Sequence, residues 1–141
     1  FSTDPEHPNF LEPGKRPYNT IIPGMITRNS NLVSSFGVMG GFQQPQGHLQ
    51  VVSNMVDFGM NPQEALDSAR FRISIEDETV FAEDSFNQEV ISGLKSKGHS
   101  VSVISGVNRG FFGGGQIINR NDEGVLFGGS DSRKDGLSLS Y

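Results

Sequence analysis

Leu32-Val33-Ser34-Ser35-Phe36-Gly37-Val38-Met39-Gly40-Gly41 is a short apolar run that ends on two glycines. Its length, its bounding Asn29-Ser30-Asn31 and its diglycine end read as a buried strand. Beyond Gly41 the period changes. Pro45 suits a first helical turn, and Leu49, Val52 and Val56 then fall on one helical face with Met55 beside them. The stretch is therefore a strand, a diglycine bend and a helix. Upstream, Ile21 to Thr27 reads as a second strand, and the two form a hairpin turning at Arg28 to Asn31.

Working outward, Gly59 stops the helix and Asn61-Pro62-Gln63-Glu64 opens another, with Asn61 as cap and Glu64 three residues on. Phe71 to Ile75 and Thr79 to Ala82 read as strands. Ser85-Phe86-Asn87-Gln88 reads as a capping box before a third helix, whose apolar stripe is Phe86, Val90, Ile91 and Leu94 and whose end is Gly98. Strands follow at Ser100 to Ile104, Gln116 to Asn119 and Val125 to Phe127. The expected fold class is α+β, a mostly antiparallel sheet covered by helices. Residues 1 to 24 carry Pro5, Pro8, Pro13, Pro17 and Pro23, a loop-like opening with no earlier element to pack on.

At 141 residues the chain suits a single domain, 1–141. Its 18 glycines run at nearly twice the usual share, which points to tight turns and close backbone approaches. The net charge is -5, and Lys15-Arg16 and Arg133-Lys134 are only pairs, so the clustered cations of a nucleic-acid binder are missing. With no cysteine there is no disulfide, thiolate zinc site or cysteine nucleophile, and the compartment stays open. No apolar run reaches the roughly 18 residues of a membrane span.

Metal and triad readings fail on spacing. His7, His48 and His99 stand far apart, and His48 reads as a packed or surface side chain of the first helix. Gly113-Gly114-Gly115 precedes a strand, not a helix, and so reads as close backbone packing instead of a dinucleotide loop. Glu76, Asp77, Glu78, Glu83 and Asp84 flank strands and read as a solvated rim. Two candidates remain. Gly40-Gly41 presents unobstructed N–H groups between a strand and a helix, donors suited to an oxyanion or simply a flexible turn. Asn19-Thr20 is a polar pair able to hydrogen-bond a carboxylate or amide, or simply to shape a turn.

Several segments carry a family resemblance. Pro13-Gly14-Lys15-Arg16-Pro17-Tyr18-Asn19-Thr20-Ile21-Ile22-Pro23 resembles the Pro-Gly-Lys-Arg-Pro-Leu-Ser-Ser-Met-x-Pro segment of gamma-glutamyltransferases (gamma-glutamyltranspeptidases). Phe36-Gly37-Val38-Met39-Gly40-Gly41 resembles their Gly-Ser-x-Gly-Gly segment. Gln43 to His48, Asp57 to Ala65, Gly113 to Gln116 and Asp131 to Gly136 are similar to later segments in the same order.

The resemblance implies an N-terminal nucleophile hydrolase, a four-layer αββα sandwich whose precursor cuts itself into two subunits. An N-terminal threonine, with its own α-amine as base, takes a gamma-glutamyl group from an amide such as glutathione and passes it to water or an amino acid. No cofactor and no metal is implied. Gly40 and Gly41 take the oxyanion-hole positions, and Asn19 and Thr20 those of the carboxylate-binding Ser-Ser pair. Asn-Thr in that place opens the way to another acylated amine. The nucleophile is expected upstream of residue 1, which makes this chain the C-terminal portion of a small subunit, inactive alone. Its partners would be the large subunit, the upstream part of the small subunit and a small gamma-glutamyl substrate, with no nucleic acid and no membrane span. The alternatives are a stand-alone anion-binding module and a family member without catalysis.

Overall fold

The computed structural model describes residues 1–140. Before Gly24 the proline-punctuated chain forms no helix or strand beyond an isolated bridge between Ser2 and Phe10. Strands β1 (Gly24–Arg28) and β2 (Asn31–Met39) form the hairpin, closed by Asn29 and Ser30 at φ 51° and 65°. Positive φ at both central residues matches the right-handed twist of the flanking strands. β1 starts later than the apolar pattern suggests. Pro23 has no N–H, and the Ile22 N–H is taken by the Gln44 side chain instead of a strand neighbour.

A 3-10 turn at Gly41–Gln43 leads into α1 (Gln44–Val56), and α2 (Pro62–Asp67) follows. Asn61 caps α2 as expected: its side chain accepts from the Glu64 N–H, and Glu64 accepts from the Asn61 N–H. β3 (Phe71–Ile73) and β4 (Val80–Glu83) pair antiparallel. α3 (Gln88–Ser96) then crosses over to β5 (Val101–Ile104), which pairs parallel to β4. A 3-10 turn at Gly106–Phe112 leads to β6 (Gly114–Arg120) and β7 (Leu126–Ser130).

The strands form two sheets. The four-stranded one is wholly antiparallel in the order β1-β2-β6-β7, and the three-stranded one is mixed in the order β3-β4-β5. Within the three-stranded sheet α3 carries the chain from β4 over to β5, because parallel neighbours need such a connection. α3 itself starts at Gln88, since Asn87 and not Ser85 caps it, accepting from the Glu89 N–H at 2.8 Å.

The core lies between the large sheet and helices α1 and α2: Val38, Val51, Ala65, Leu66 and Ile117, with Phe36, Met55 and Met60 around them. α1 is rotated from its expected setting. Leu49 and Val56 are 68% and 63% exposed, while Gln44, Gly47 and Val51 face inward. Gly47 allows this, because a Cβ there would lie 2.8 Å from Val38 Cγ1. The opposite face of the sheet carries Met25, Met39, Ile118 and Leu126, all largely exposed.

Two glycine substitutions should move stability in opposite directions. At Gly129 a Cβ would meet the Pro62 backbone at 2.8 Å, so Gly129→Ala should cost about 2 kcal/mol by pushing α2 off the sheet. At helical Gly93 a Cβ meets nothing within 4 Å, so Gly93→Ala should add about 0.5–1 kcal/mol. Urea denaturation checks both signs.

Candidate active site

β2 is paired with β6 from Ser34 to Met39, but its pairing with β1 stops at Phe36, opposite Gly24. Past that point the β2 edge has no strand partner. The Val38 N–H there donates to His48 Nε2 at 3.0 Å, and the His48 ring meets Phe36 edge-on at 5.2 Å. His48 must therefore carry its proton on Nδ1, and burial lowers its pKa from the ordinary 6.5. It serves as a packed side chain, in line with the reading of its position on α1.

Two residues on, Gly40 sits at φ 150° and Gly41 at φ 60°, a backbone that only glycine adopts without strain. A Cβ on Gly40 would lie 3.1 Å from Gly113 Cα, so the glycine triplet that leads into β6 packs against the diglycine turn at Gly113. The Gly40 carbonyl accepts from Gln43 at 3.1 Å, but among the described residues neither the Gly40 nor the Gly41 N–H donates to a protein acceptor. The turn opens on a cleft of about 440 Å³ lined by Thr20, Ile22, Phe36, Met39, Gly40, Gly41, Gln44 and Gln116. Of the four residues singled out from the sequence, Thr20, Gly40 and Gly41 share this cleft. Asn19 is not among its lining residues; its Oδ1 accepts from the Ile21 N–H at 3.4 Å and shapes its own turn.

Behind the cleft lies a buried ion network. Arg70 meets Asp131 at 2.6 Å, Arg133 meets both Asp131 and Glu83, and Arg109 reaches Glu83 at 3.0 Å. The side chains of Arg70, Glu83, Asp131 and Arg133 are all but fully enclosed. This corrects the solvated-rim reading for Glu83, whose position at the end of β4 turns it inward onto three arginines. Burial pushes its carboxyl up. Hydrogen bonds from Arg133, the Arg70 N–H and Arg109 more than offset that and hold it below the ordinary carboxylate range. Asp131 is treated likewise: burial raises it, and the Arg70 charge with N–H groups of Arg133 and Gly115 brings it down. Asp131 Oδ2 accepts from the Gly115 N–H at 2.7 Å, which fixes the start of β6 beside the diglycine turn. Arg133 also donates to the Leu66 and Ser68 carbonyls at the end of α2.

Sequence reasoning missed this network and Gln44. A visible signal existed for the second: Gln43, Gln44, Gln46 and Gln50 crowd the start of one helix. Among the described residues no group of three or more His, Asp or Glu is placed to hold a metal, and no helix is long and apolar enough to cross a membrane.

Mixed α/β layering with antiparallel sheets and a diglycine turn at the end of a central strand defines the class, and comparison with known proteins bears on it directly. Over all its residues, 1–141, the chain matches the family described as Gamma-glutamyltranspeptidase. It is 34% identical over 143 residues to the glutathione hydrolase-like YwrD proenzyme of Bacillus subtilis (strain 168), covering 99% of this chain and 27% of that protein. Among solved structures it is similar to a cephalosporin acylase from Bacillus halodurans, with TM-score 0.83 and 47% identity over 100% of this chain and 26% of the other. It is also similar to a gamma-glutamyltranspeptidase from Pseudomonas nitroreducens complexed with L-DON, with TM-score 0.75 and 26% identity over 96% of this chain and 69% of the other. The fold is that of part of an N-terminal nucleophile hydrolase sandwich. The chain belongs to the gamma-glutamyltranspeptidase family, and it spans about a quarter of the length of the Bacillus subtilis relative.

The unfolded chain, with His48 at its ordinary 6.5, binds a proton before the native chain does. Folding stability is therefore full above that pH and declines as pH falls through the lowered native value, a slope that His48→Gln should flatten in denaturant titrations. Glu83→Gln removes the counter-charge of partly exposed Arg109 and leaves the buried Arg70 and Arg133 to share Asp131 alone, and should cost about 3–5 kcal/mol in the same measurement.

Proposed function

We propose that this chain is the C-terminal portion of the small subunit, a single domain, of an acyl-amide hydrolase or transferase that uses a threonine nucleophile outside residues 1–141. The observation that supports it most is the pair of amide donors at Gly40 and Gly41, without a protein acceptor among the described residues and opening on the same cleft as Thr20. In this reading the threonine oxygen attacks the substrate carbonyl, its proton passing to the threonine's own α-amine. The carbonyl oxygen gains negative charge and lies against the two N–H groups. Collapse expels the amine, which takes the proton, and leaves an acyl-threonine ester that water or an amino acid resolves. Thr20, with Asn19 beside it, holds the far end of the acyl group.

The upstream part of the small subunit and the large subunit are the proposed partners. The exposed Met25, Met39, Ile118 and Leu126 on the outer sheet face fit a second layer packing there. Autocleavage of a common precursor would generate the pieces, a reading that fits the Bacillus subtilis relative's being a proenzyme.

A second reading concerns the acyl group. Ile22, Phe36 and Met39 make the cleft wall apolar, and identity to the cephalosporin acylase reaches 47%. Those observations favour an acyl amide bulkier and less polar than a gamma-glutamyl one. Release of nitroaniline from a gamma-glutamyl anilide, run beside hydrolysis of a cephalosporin acyl amide, ranks the two. Residues 1–141 alone should release nothing; turnover by them would place the nucleophile inside this chain and overturn the proposal. In the full-length processed enzyme, Gly40→Ala should lower kcat about a hundredfold by displacing one amide donor.

A further inference from the structure

Gln44 is the first residue of α1 and only 6% exposed, yet it lines the cleft. Its Nε2 donates to the Thr20 carbonyl at 2.6 Å, and its Oε1 accepts from the Ile22 N–H at 3.2 Å. One side-chain amide thus engages the backbone of residues 20 to 22 as a neighbouring strand would. Its own N–H donates to the Gly41 carbonyl, so its backbone is part of the diglycine turn.

The segment it grips has little else to hold it. Pro17 and Pro23 lack N–H groups, Thr20, Ile21 and Ile22 are exposed, and β1 begins only at Gly24. Among the described residues the remaining hydrogen bond of this stretch, Ile21 N–H to Asn19 Oδ1, stays within it. A buried amide with both ends satisfied has one favourable setting, and rotation away would leave a buried donor and acceptor unpaired.

We infer that Gln44 is a positioning residue: its amide sets the spacing between Thr20 and the Gly40-Gly41 turn, and through it the fit of the acyl group. This rests on the acyl-transfer reading of the cleft. The structure supplies its own control. Gln46 makes the same two-bond grip on Ile73, and Gln50 on Phe71, both on β3 and outside the cleft. A purely structural role for such glutamines would show equally at all three.

The test uses the full-length processed enzyme. Gln44→Leu should raise KM about tenfold while kcat, corrected for the fraction of active enzyme, stays within about twofold, because a misplaced Thr20 weakens ground state and transition state alike. Gln50→Leu should lower Tm and leave KM unchanged. Gln44→Glu gives a signature that misfolding cannot: ionised, it repels the Thr20 carbonyl, and protonated, it restores the donor, so its KM should fall toward the wild-type value as pH is lowered from 8 to 5. Hydrogen exchange at the Ile22 amide should be slow in the wild type and fast in Gln44→Leu. An unchanged KM in Gln44→Leu, an equal KM rise in Gln50→Leu, or a pH-independent KM in Gln44→Glu overturns the inference. Should the wild-type enzyme turn over no acyl amide, the function reading fails and the positioning role with it. Ile22 exchange then shows separately whether the grip exists.

Discussion

Two buried arginines and two buried carboxylates hold the two sheets and α2 in one arrangement. Arg70 precedes β3, Glu83 closes β4, and Asp131 and Arg133 follow β7, so their pairing ties the small sheet to the large one. Charges this deeply enclosed are costly unless every one is paired, which makes any other docking of the sheets unfavourable by leaving at least one charge bare. The network also reaches outward through Gly115 and the α2 carbonyls. The diglycine turn leans on Gly113, two residues before Gly115, so its backbone inherits that rigidity.

Local chemistry was readable in the sequence where it is strong. The Asn29-Ser30 hairpin, the Asn61–Glu64 capping box and the glycine triplet as a packing device all follow from residue types at fixed offsets. The orientation of α1 was not readable, because a hydrophobic stripe assumes that inward means apolar. Here the inward face includes Gln44 and Gly47, and the apolar Leu49 and Val56 point away. Glu83 was missed for the same reason: its partners come from positions 70, 109 and 133, a convergence that no local window contains. The split into two sheets likewise depends on which strands meet.

For the site, the diglycine turn could be singled out because two successive glycines between a strand and a helix bare their N–H groups, although residue type alone read equally as a flexible turn and the ordered family resemblance decided. What the sequence withheld is how the Thr20 segment is kept beside it. Side-chain amides from α1 stand in for missing strand neighbours three times, at residues 20 to 22, at Phe71 and at Ile73. His48 does similar work at Val38. A helix can thus finish strand edges that end early, and beside the cleft it does so at residues 20 to 22 and at Val38.

In the function we propose, the Gly40 and Gly41 amides stay open for an oxygen that becomes charged. The most direct measurement is a crystal structure of the full-length processed enzyme with a boronate adduct on its nucleophile. A boronate oxygen is expected within hydrogen-bond distance, about 2.7–3.1 Å, of both nitrogens, with Thr20 near the far end of the acyl group. An adduct whose oxygen points away from this turn, or a turn whose two N–H groups are already bonded to protein carbonyls, would contradict it.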